Sequence, residues 1–395
     1  RAALHAGLAA SGCPVLDSGV CPTPSVLLAV SRRAIGGGVL VTASHNPIEW
    51  NALKFVGADG FFLAPEAGEE LARRFREGSP EYVRFDRVGR VEAGPDVETE
   101  HLEAVLALPW IDAERVRARR WKVALDGTGG AASRLALRLL ERLGCEVEPI
   151  HCEATGSFPR PPEPRPENLG DLSALVARSG AAAGFALDPD GDRLSLVAAG
   201  GAALSEERTL AVAVDFVLAR RRGPVAVNLS TSRAVEDLAA RYGVPFERSP
   251  VGEAHVAALM RRTGAVVGGE GNGGVMVAAL HPMRDAAVGI AIVLQAMTDS
   301  GRSLAALDGA IPSYAMRKKA LAAETPDGEK ISRALRERFG EGRRDERDGI
   351  RVEWEKSWVQ VRASNTEPVV RLLAEAPTIG EAEELLGTAE RAILS

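Results

Sequence analysis

Three carboxylates within one short loop set the first chemical constraint. In DPDGDR, Asp188, Asp190 and Asp192 alternate at the end of an apolar run, with Gly191 letting the chain bend. Acids this close repel one another unless a cation lies between them. Oxygen-only ligands select a hard ion, Mg²⁺ first. The bland alternative is a solvated acidic turn. An EF-hand also begins D-x-D-G-D, but its twelfth position needs a bidentate acid, and here that position is Ala199.

A hydroxyl sets the second constraint. In VTASHNPIEWNALKF, residues 41–55, Ser44 and His45 stand where an apolar run ends, and Lys54 follows ten residues after the serine. A free serine is a poor nucleophile and needs a base. Adjacency in sequence does not aim the His45 ring at that oxygen, and there is no G-x-S-x-G elbow, so a serine hydrolase is a weak reading. A serine that carries a phosphoryl group needs a cation, orienting donors and a nearby acid or base. The aspartate loop supplies the cation, and Lys54 and His45 are the proton-transfer candidates. A haloacid-dehalogenase-type phosphatase is the enzymatic rival: it would use Asp188 as nucleophile and want a second acidic pair, for which the sequence offers no convincing candidate.

Two more loops fit a sugar phosphate. GGEGNGG, residues 268–274, satisfies G-x-G-x-x-G from Gly269 to Gly274. A dinucleotide turn must open a helix at once, whereas the strand-like VMVAAL follows, and Glu270 would repel a pyrophosphate. Glu270 and Asn272 suit the hydroxyls of a neutral polyol instead; a glycine turn without ligand is the alternative. In RASNTEP, Arg362, Ser364, Asn365 and Thr366 offer donors for a phosphate, with Glu367 shaping the loop. An Asn-Thr turn of an antiparallel sheet is the alternative there.

These loops need rigid elements behind them. The chain has 395 residues, 46% of them hydrophobic, enough for about two to four globular domains. Its net charge of −6 argues against nucleic acid as a partner, though not against one basic phosphate pocket. No apolar run reaches the ~18 residues of a membrane span, and no signal peptide opens the chain. Cys13, Cys21, Cys145 and Cys152 lack metal spacing, which suggests reduced thiols in a cytoplasmic protein. Apolar runs at 39–43, 122–126, 145–150, 184–187, 224–229 and 265–267 read as strands, and 131–143, 233–241 and 285–297 as helices, the last with one apolar face. Such alternation implies α/β layers with mostly parallel strands, in three units of about one hundred residues. From about Tyr314 the pattern changes. Ile350, Val352 and Trp354, then Val359 and Val361, then Val370 and Leu372 recur at period two, which predicts an antiparallel sheet covered by a helix over 381–393. The proline-rich 155–170 is either an extended linker or an ordered loop over the sheet edge. RAALHAGLAASG reads as a helix that starts mid-fold, so an upstream segment is expected to be missing.

TASHNP, DPDGDR, GEGNGG and RASNTEP, in this order and spacing, resemble the four signature loops of the α-D-phosphohexomutases over essentially the whole chain. The resemblance implies three related α/β domains around a central cleft plus a C-terminal α+β domain: 1–115 with the serine loop, 116–208 with the metal loop, 209–313 with the sugar loop and 314–395 with the phosphate loop. It implies a phosphorylated Ser44, and one Mg²⁺ on Asp188, Asp190, Asp192 and an oxygen of the Ser44 phosphate, with Arg193 beside that phosphate. Glu270 and Asn272 would hold sugar hydroxyls; Arg362, Ser364, Asn365 and Thr366 would hold the substrate's phosphate; Lys54 and His45 would move protons. A hexose 1,6-bisphosphate would be both intermediate and activator. A small sugar phosphate would be the only partner, with no nucleic acid and no membrane, and the protein a monomer or homodimer. FPRPPEP resembles a loop of the family, which favours the ordered-loop reading. Two features depart from the family: Gly274 stands where many relatives have histidine, and the family's opening strand is absent. GEGNGG with HPMRDAAVG resembles archaeal-type phosphoglucosamine mutases, so glucosamine 6-phosphate is the first substrate choice and a phosphomannomutase/phosphoglucomutase the second. A non-catalytic sugar-phosphate-binding module is the rival from another class.

Overall fold

The run KVALD becomes the strand Lys122–Asp126, with Val123, Ala124 and Leu125 wholly buried. It lies between two parallel neighbours, Glu146–Ile150 and Ala183–Leu187. A strand covered on both faces needs no alternation of apolar and polar residues, and KVALD and AGFAL show little. The chain then turns back: Leu194–Ala198 pairs antiparallel with Ala183–Leu187, and Ala202–Ala203 closes the edge. DPDGDR is therefore the turn of a buried hairpin. The sequence reading has no strand after it, because a five-residue apolar run without period is ambiguous on its own.

The structure, a computed structural model, describes residues 1–44, 46, 50–78, 80–322, 328–364 and 368–394. It divides into two compact units. The first comprises Arg1–Ser205 and Ala279–Leu304. Ahead of the five-stranded sheet, it holds the helices Ala2–Ala10 and Thr23–Arg32, the antiparallel pair Gly37–Val41 and Leu53–Gly57, and the parallel pair Val15–Asp17 and Val91–Ala93. Its spine is the helix Ala286–Ser300. One apolar face was expected there; instead the helix is buried from Ala286 to Thr298. AAVGIAIVLQAM is apolar around the whole circumference, as a helix packed on all sides requires. Its partners are the helices Val97–Leu106, Ala113–Arg119 and Ser133–Arg142.

The second unit comprises Glu206–Ala278 and Ala305–Ser395. Its first half repeats the layout: Val225–Asn228 lies between parallel Phe246–Ser249 and Val267–Glu270, and Gly274–Val277 returns antiparallel. A strand, not a helix, follows the glycine loop, in keeping with the rejection of a dinucleotide turn. Its second half is the expected antiparallel sheet, in the order Ala315–Ala322, Val369–Ala376, Trp358–Ala363, Ile350–Glu353, Arg343–Asp345. Val361 stands opposite both Ile350 and Leu372, which aligns the period-two residues on one core face under the helix Ile379–Leu394. Trp354 lies past its strand and packs edge-on against Phe339 at 5.5 Å. The two edge strands, AMRKKALA and RRD, escape the sequence reading because charge replaces alternation there, as is common at unpaired edges.

Candidate active site

Ser44 follows the strand Gly37–Val41, and its φ of +54° places it in the left-handed region that non-glycine residues rarely adopt. The Ser44 N–H donates to Thr42 Oγ1 at 2.9 Å, which holds the bend. The bend aims the hydroxyl at the metal hairpin: Ser44 Oγ donates to Asp190 Oδ1 at 3.0 Å. From the paired strand Leu53–Gly57, Lys54 Nζ reaches the other oxygen of that carboxylate, Oδ2, at 2.6 Å.

Asp188, Asp190 and Asp192 are all buried, with one oxygen from each within 4.8 Å of the others. Gly191 makes the turn at φ +73°; a Cβ there would lie 2.4 Å from that of Ala132. Asp188 Oδ1 accepts from the N–H groups of Asp192 and Arg193 at 3.0 and 3.1 Å, which folds the loop around it. Asp188 Oδ2 and Asp192 Oδ1 have no hydrogen-bond partner among the described residues. Buried, orphaned carboxylate oxygens are costly, and a hard cation of the Mg²⁺ class would satisfy both. Burial and the charges of Asp192 and Asp190 push the Asp188 carboxyl well above the usual range. Burial also opposes the charge of Asp190, but the Lys54 ammonium holds that carboxyl low. At Lys54 burial works against the cation, yet Asp190 and Asp192 outweigh it and its pKa lies above the ordinary lysine value. Lys54 is thus held as the ammonium at neutral pH.

Several supports were not foreseen. Arg284 Nη2 donates to Asp192 Oδ2, and the Thr23 N–H donates to the Asp190 carbonyl at 2.9 Å. Ser25 Oγ, His101 and Asp285 form a chain, 2.8 Å to Nδ1 and 2.7 Å from Nε2 to Oδ2, in which Asp285 also caps the helix Ala286–Ser300. Buried on every side, this Ser-His-Asp set is a brace behind the site. The proline-rich stretch is an ordered loop. Arg160 Nε donates to Asp126 Oδ2 at 2.6 Å and Nη2 to the Leu187 carbonyl at 2.9 Å. Glu163 accepts from Arg193 Nη1 at 3.2 Å, so this loop orients the arginine of DPDGDR. The sequence signal was charge set among prolines: Arg160, Glu163, Arg165 and Glu167 all lie within 155–170.

In the second unit Glu270 ends its strand, buried, and its Oε1 accepts from Asn228 Nδ2 at 2.7 Å and from the Gly252 N–H at 2.9 Å. The Gly271 N–H donates to Thr231 Oγ1 at 3.0 Å. Asn272 Oδ1 has no partner among the described residues. Gly271 lies against Glu207: a Cβ would stand 1.8 Å from Glu207 Oε2, which accepts from the Ser232 N–H at 3.0 Å. Burial pushes Glu207 up to about 7, against the pull of Lys318 at 3.2 Å. Arg362 Nε donates to both oxygens of Asp348 at 3.0 Å, and the Ser364 N–H donates to the Val369 carbonyl at 2.9 Å. His45, Asn365 and Thr366 lie outside the described residues.

The comparisons with known proteins agree along the chain. Four family descriptions match in order: phosphoglucomutase/phosphomannomutase alpha/beta/alpha domain I over residues 1–81, domain II over 99–201, domain III over 205–314 and the C-terminal domain over 312–390. A probable phosphoglucosamine mutase of Methanopyrus kandleri is 35% identical over 98% of this chain and 85% of its own length. A phosphoglucomutase/phosphomannomutase of Thermococcus kodakarensis is 32% identical over 97% and 84%. The crystal structure of a phosphoglucomutase/phosphomannomutase family protein from Burkholderia thailandensis superposes with a TM-score of 0.86 at 28% identity, covering 99% of this chain and 85% of that one. The four loops stand on the matched domains in the order the sequence reading required, and the chain belongs to the phosphoglucomutase/phosphomannomutase family, the phosphohexomutase isomerases.

Proposed function

We propose that this chain interconverts hexose 6-phosphate and hexose 1-phosphate through a phosphoserine at Ser44, with glucosamine 6-phosphate as its preferred substrate. The observation that carries the reading is the 3.0 Å approach of Ser44 Oγ to Asp190 inside a buried acidic cluster that also holds Lys54. Phosphoryl transfer is largely a matter of position and charge. As the phosphoserine gives up its group, the Oγ–P bond breaks and a bond from phosphorus to the free sugar hydroxyl forms. Lys54, held cationic by Asp190, supplies a proton to the departing Ser44 Oγ; His45 is the candidate to take the proton of the sugar hydroxyl. The bisphosphate formed then returns its other phosphate to Ser44. A bound Mg²⁺ on Asp188, Asp190, Asp192 and a phosphoserine oxygen would neutralise charge on the transferring group. Glu270 and Asn272 would hold sugar hydroxyls, and Arg362 and Ser364, with Asn365 and Thr366, the resident phosphate. Arg193, oriented by Glu163, would face the phosphoserine. The substrate choice draws on GEGNGG and on the name of the Methanopyrus relative; mannose and glucose phosphates are the second reading, drawn from the Thermococcus one.

Intact-mass measurement tests the chemistry. Incubation with glucose 1,6-bisphosphate should add one phosphate, and Ser44→Ala should abolish the addition. Label on Asp188 would instead favour the phosphatase, and no label at all the binding module. Coupled assays on glucosamine, mannose and glucose 6-phosphates side by side rank the sugars.

A further inference from the structure

A cavity of about 330 Å³ lies in the second unit, and none of the site residues predicted from the sequence lines it. Its walls come from the strand Phe246–Ser249 and from the hairpin Arg343–Asp345 and Ile350–Glu353. Five arginines line it, Arg248, Arg343, Arg344, Arg347 and Arg351, against four acids, Glu236, Glu247, Asp345 and Glu353, which leaves one positive charge in excess. Most of the arginines have partners. Arg343 Nη2 pairs with Glu353 Oε2 at 2.7 Å, Arg248 Nη2 with Glu236 Oε2 at 3.2 Å, and Arg347 Nη1 donates to the Arg248 carbonyl at 2.8 Å.

Arg351 differs. It is 1% exposed, its guanidinium stacks 4.0 Å from the Trp358 ring centroid, and only Nη1 is used, on the Leu229 carbonyl. Nε and Nη2 have no hydrogen-bond partner among the described residues; Nη2 forms an ion pair with Glu353 Oε1 at 3.6 Å, beyond hydrogen-bond reach. Nε and Nη2 form the side-on fork with which arginine grips a carboxylate or phosphate bidentately. Burial and the neighbouring Arg248 push its pKa down to about 9, so the two guanidinium groups repel each other in a dry place. A buried cation whose Nε and Nη2 make no hydrogen bond, beside a second cation and at a concave site of ligand size, has donors to spare for an anion.

We infer that this cavity is a second anion site, which takes the phosphate or carboxylate group of a small metabolite. The site also has a route to the catalytic loops. The hairpin turn between its two strands carries Asp348, which accepts from Arg362 Nε at 3.0 Å and from the Val251 N–H at 2.9 Å, next to the Gly252 N–H that holds Glu270. An anion that shifts Arg347 or Arg351 therefore moves a turn that touches both substrate loops.

Calorimetric titration with inorganic phosphate and, separately, with citrate tests this. An Arg362→Ala background weakens the other candidate phosphate site, so that the remaining binding is read alone. One saturable event is expected, weakened at least about tenfold by Arg351→Met and by Arg248→Met, and less by Arg351→Lys, which keeps the charge but loses the fork. Arg347→Ala, on the exposed rim, covers the case in which the buried substitutions do not fold; it should weaken the event severalfold. Saturation by phosphate alone marks a phosphate ester as ligand, and by citrate alone a carboxylate. No saturable binding of either probe, or binding unchanged in every folded variant, overturns the site. Because these readouts are binding constants, they stand or fall separately from the mutase reaction.

Discussion

Two hairpins occupy the same place in two sheets. In the first unit the order is Glu146–Ile150, Lys122–Asp126, Ala183–Leu187 and then the antiparallel Leu194–Ala198; in the second it is Phe246–Ser249, Val225–Asn228, Val267–Glu270 and then Gly274–Val277. The third strand of each ends in a loop that bears acid. One loop holds three buried carboxylates, and the groups around them are cations: Lys54 on Asp190, Arg284 on Asp192 and Arg193 alongside. The other presents one carboxylate, and two neutral donors, the Asn228 amide and the Gly252 N–H, are among its neighbours. The same backbone device is thus tuned by its surroundings. Surplus negative charge with orphaned oxygens suits a metal ion, whereas a single carboxylate held by amide N–H groups suits a hydroxyl.

The sharpest way to break this comparison is at the charge-rich hairpin. Asp190→Asn removes the carboxylate shared by Ser44 and Lys54. Turnover should fall by about 10²–10³-fold, the scale of a lost transition-state electrostatic contact. The half-saturating Mg²⁺ concentration should rise with it. Unchanged turnover across a Mg²⁺ titration would remove the loop from the chemistry. Glu270→Gln at the other hairpin should act differently. It should raise KM by about 10-fold, with a smaller loss in kcat and no change in Mg²⁺ dependence, since it alters hydrogen bonds to a neutral group. A Mg²⁺ dependence altered by Glu270→Gln would mean that the two loops are not chemically distinct.

How much of this could be read beforehand follows the same division. DPDGDR, GEGNGG and RASNTEP were legible because each concentrates its chemistry in consecutive residues. The partners that tune them were not. Arg284 lies 92 residues from Asp192 and Lys54 lies 136 from Asp190; Lys54 was found only because it stands close to Ser44 in sequence. Asn228, Glu207 and Thr23 look like ordinary polar residues at element ends until the fold brings them to a loop. The central strands were legible from apolar runs and the C-terminal core from period two. The return strand Leu194–Ala198 and the charged edge strands were not, since burial on both faces erases the first pattern and solvent exposure the second.

Packing beneath the glycine loop gives a smaller effect. Gly271→Ala would drive a methyl group into the Glu207 carboxylate, 1.8 Å from Oε2. Either the loop or the buried, hydrogen-bonded Glu207 side chain must shift, which should destabilise the protein by about 1–3 kcal/mol, read as a lower melting temperature. Gly200→Ala tests the specificity of that clash: its Cβ meets nothing within 4 Å, so only the strain of φ +84° remains. Equal losses in the two variants would remove the Glu207 contact from the account.

Glu207 itself carries the smallest effect and a definite sign. Burial raises its carboxyl from the ordinary 4.5 to about 7. Lys318 opposes this and has its own pKa raised by Glu207 and Glu206 against the burial that lowers it, but its side chain is 30% exposed and water screens part of its charge. The upward direction at Glu207 therefore stands. An acid with a raised native pKa holds a proton that the unfolded chain has already released. Its share of stability is complete below the unfolded value and drains away as pH rises through the native one. From about pH 6 to about pH 7.5 the wild type should lose roughly 1 kcal/mol relative to Glu207→Gln, which cannot titrate. Paired urea unfolding curves at the two pH values measure this. A difference of opposite sign would show that Lys318 wins, that Glu207 is an anion throughout, and that the glycine hairpin rests on an ion pair as the aspartate hairpin does.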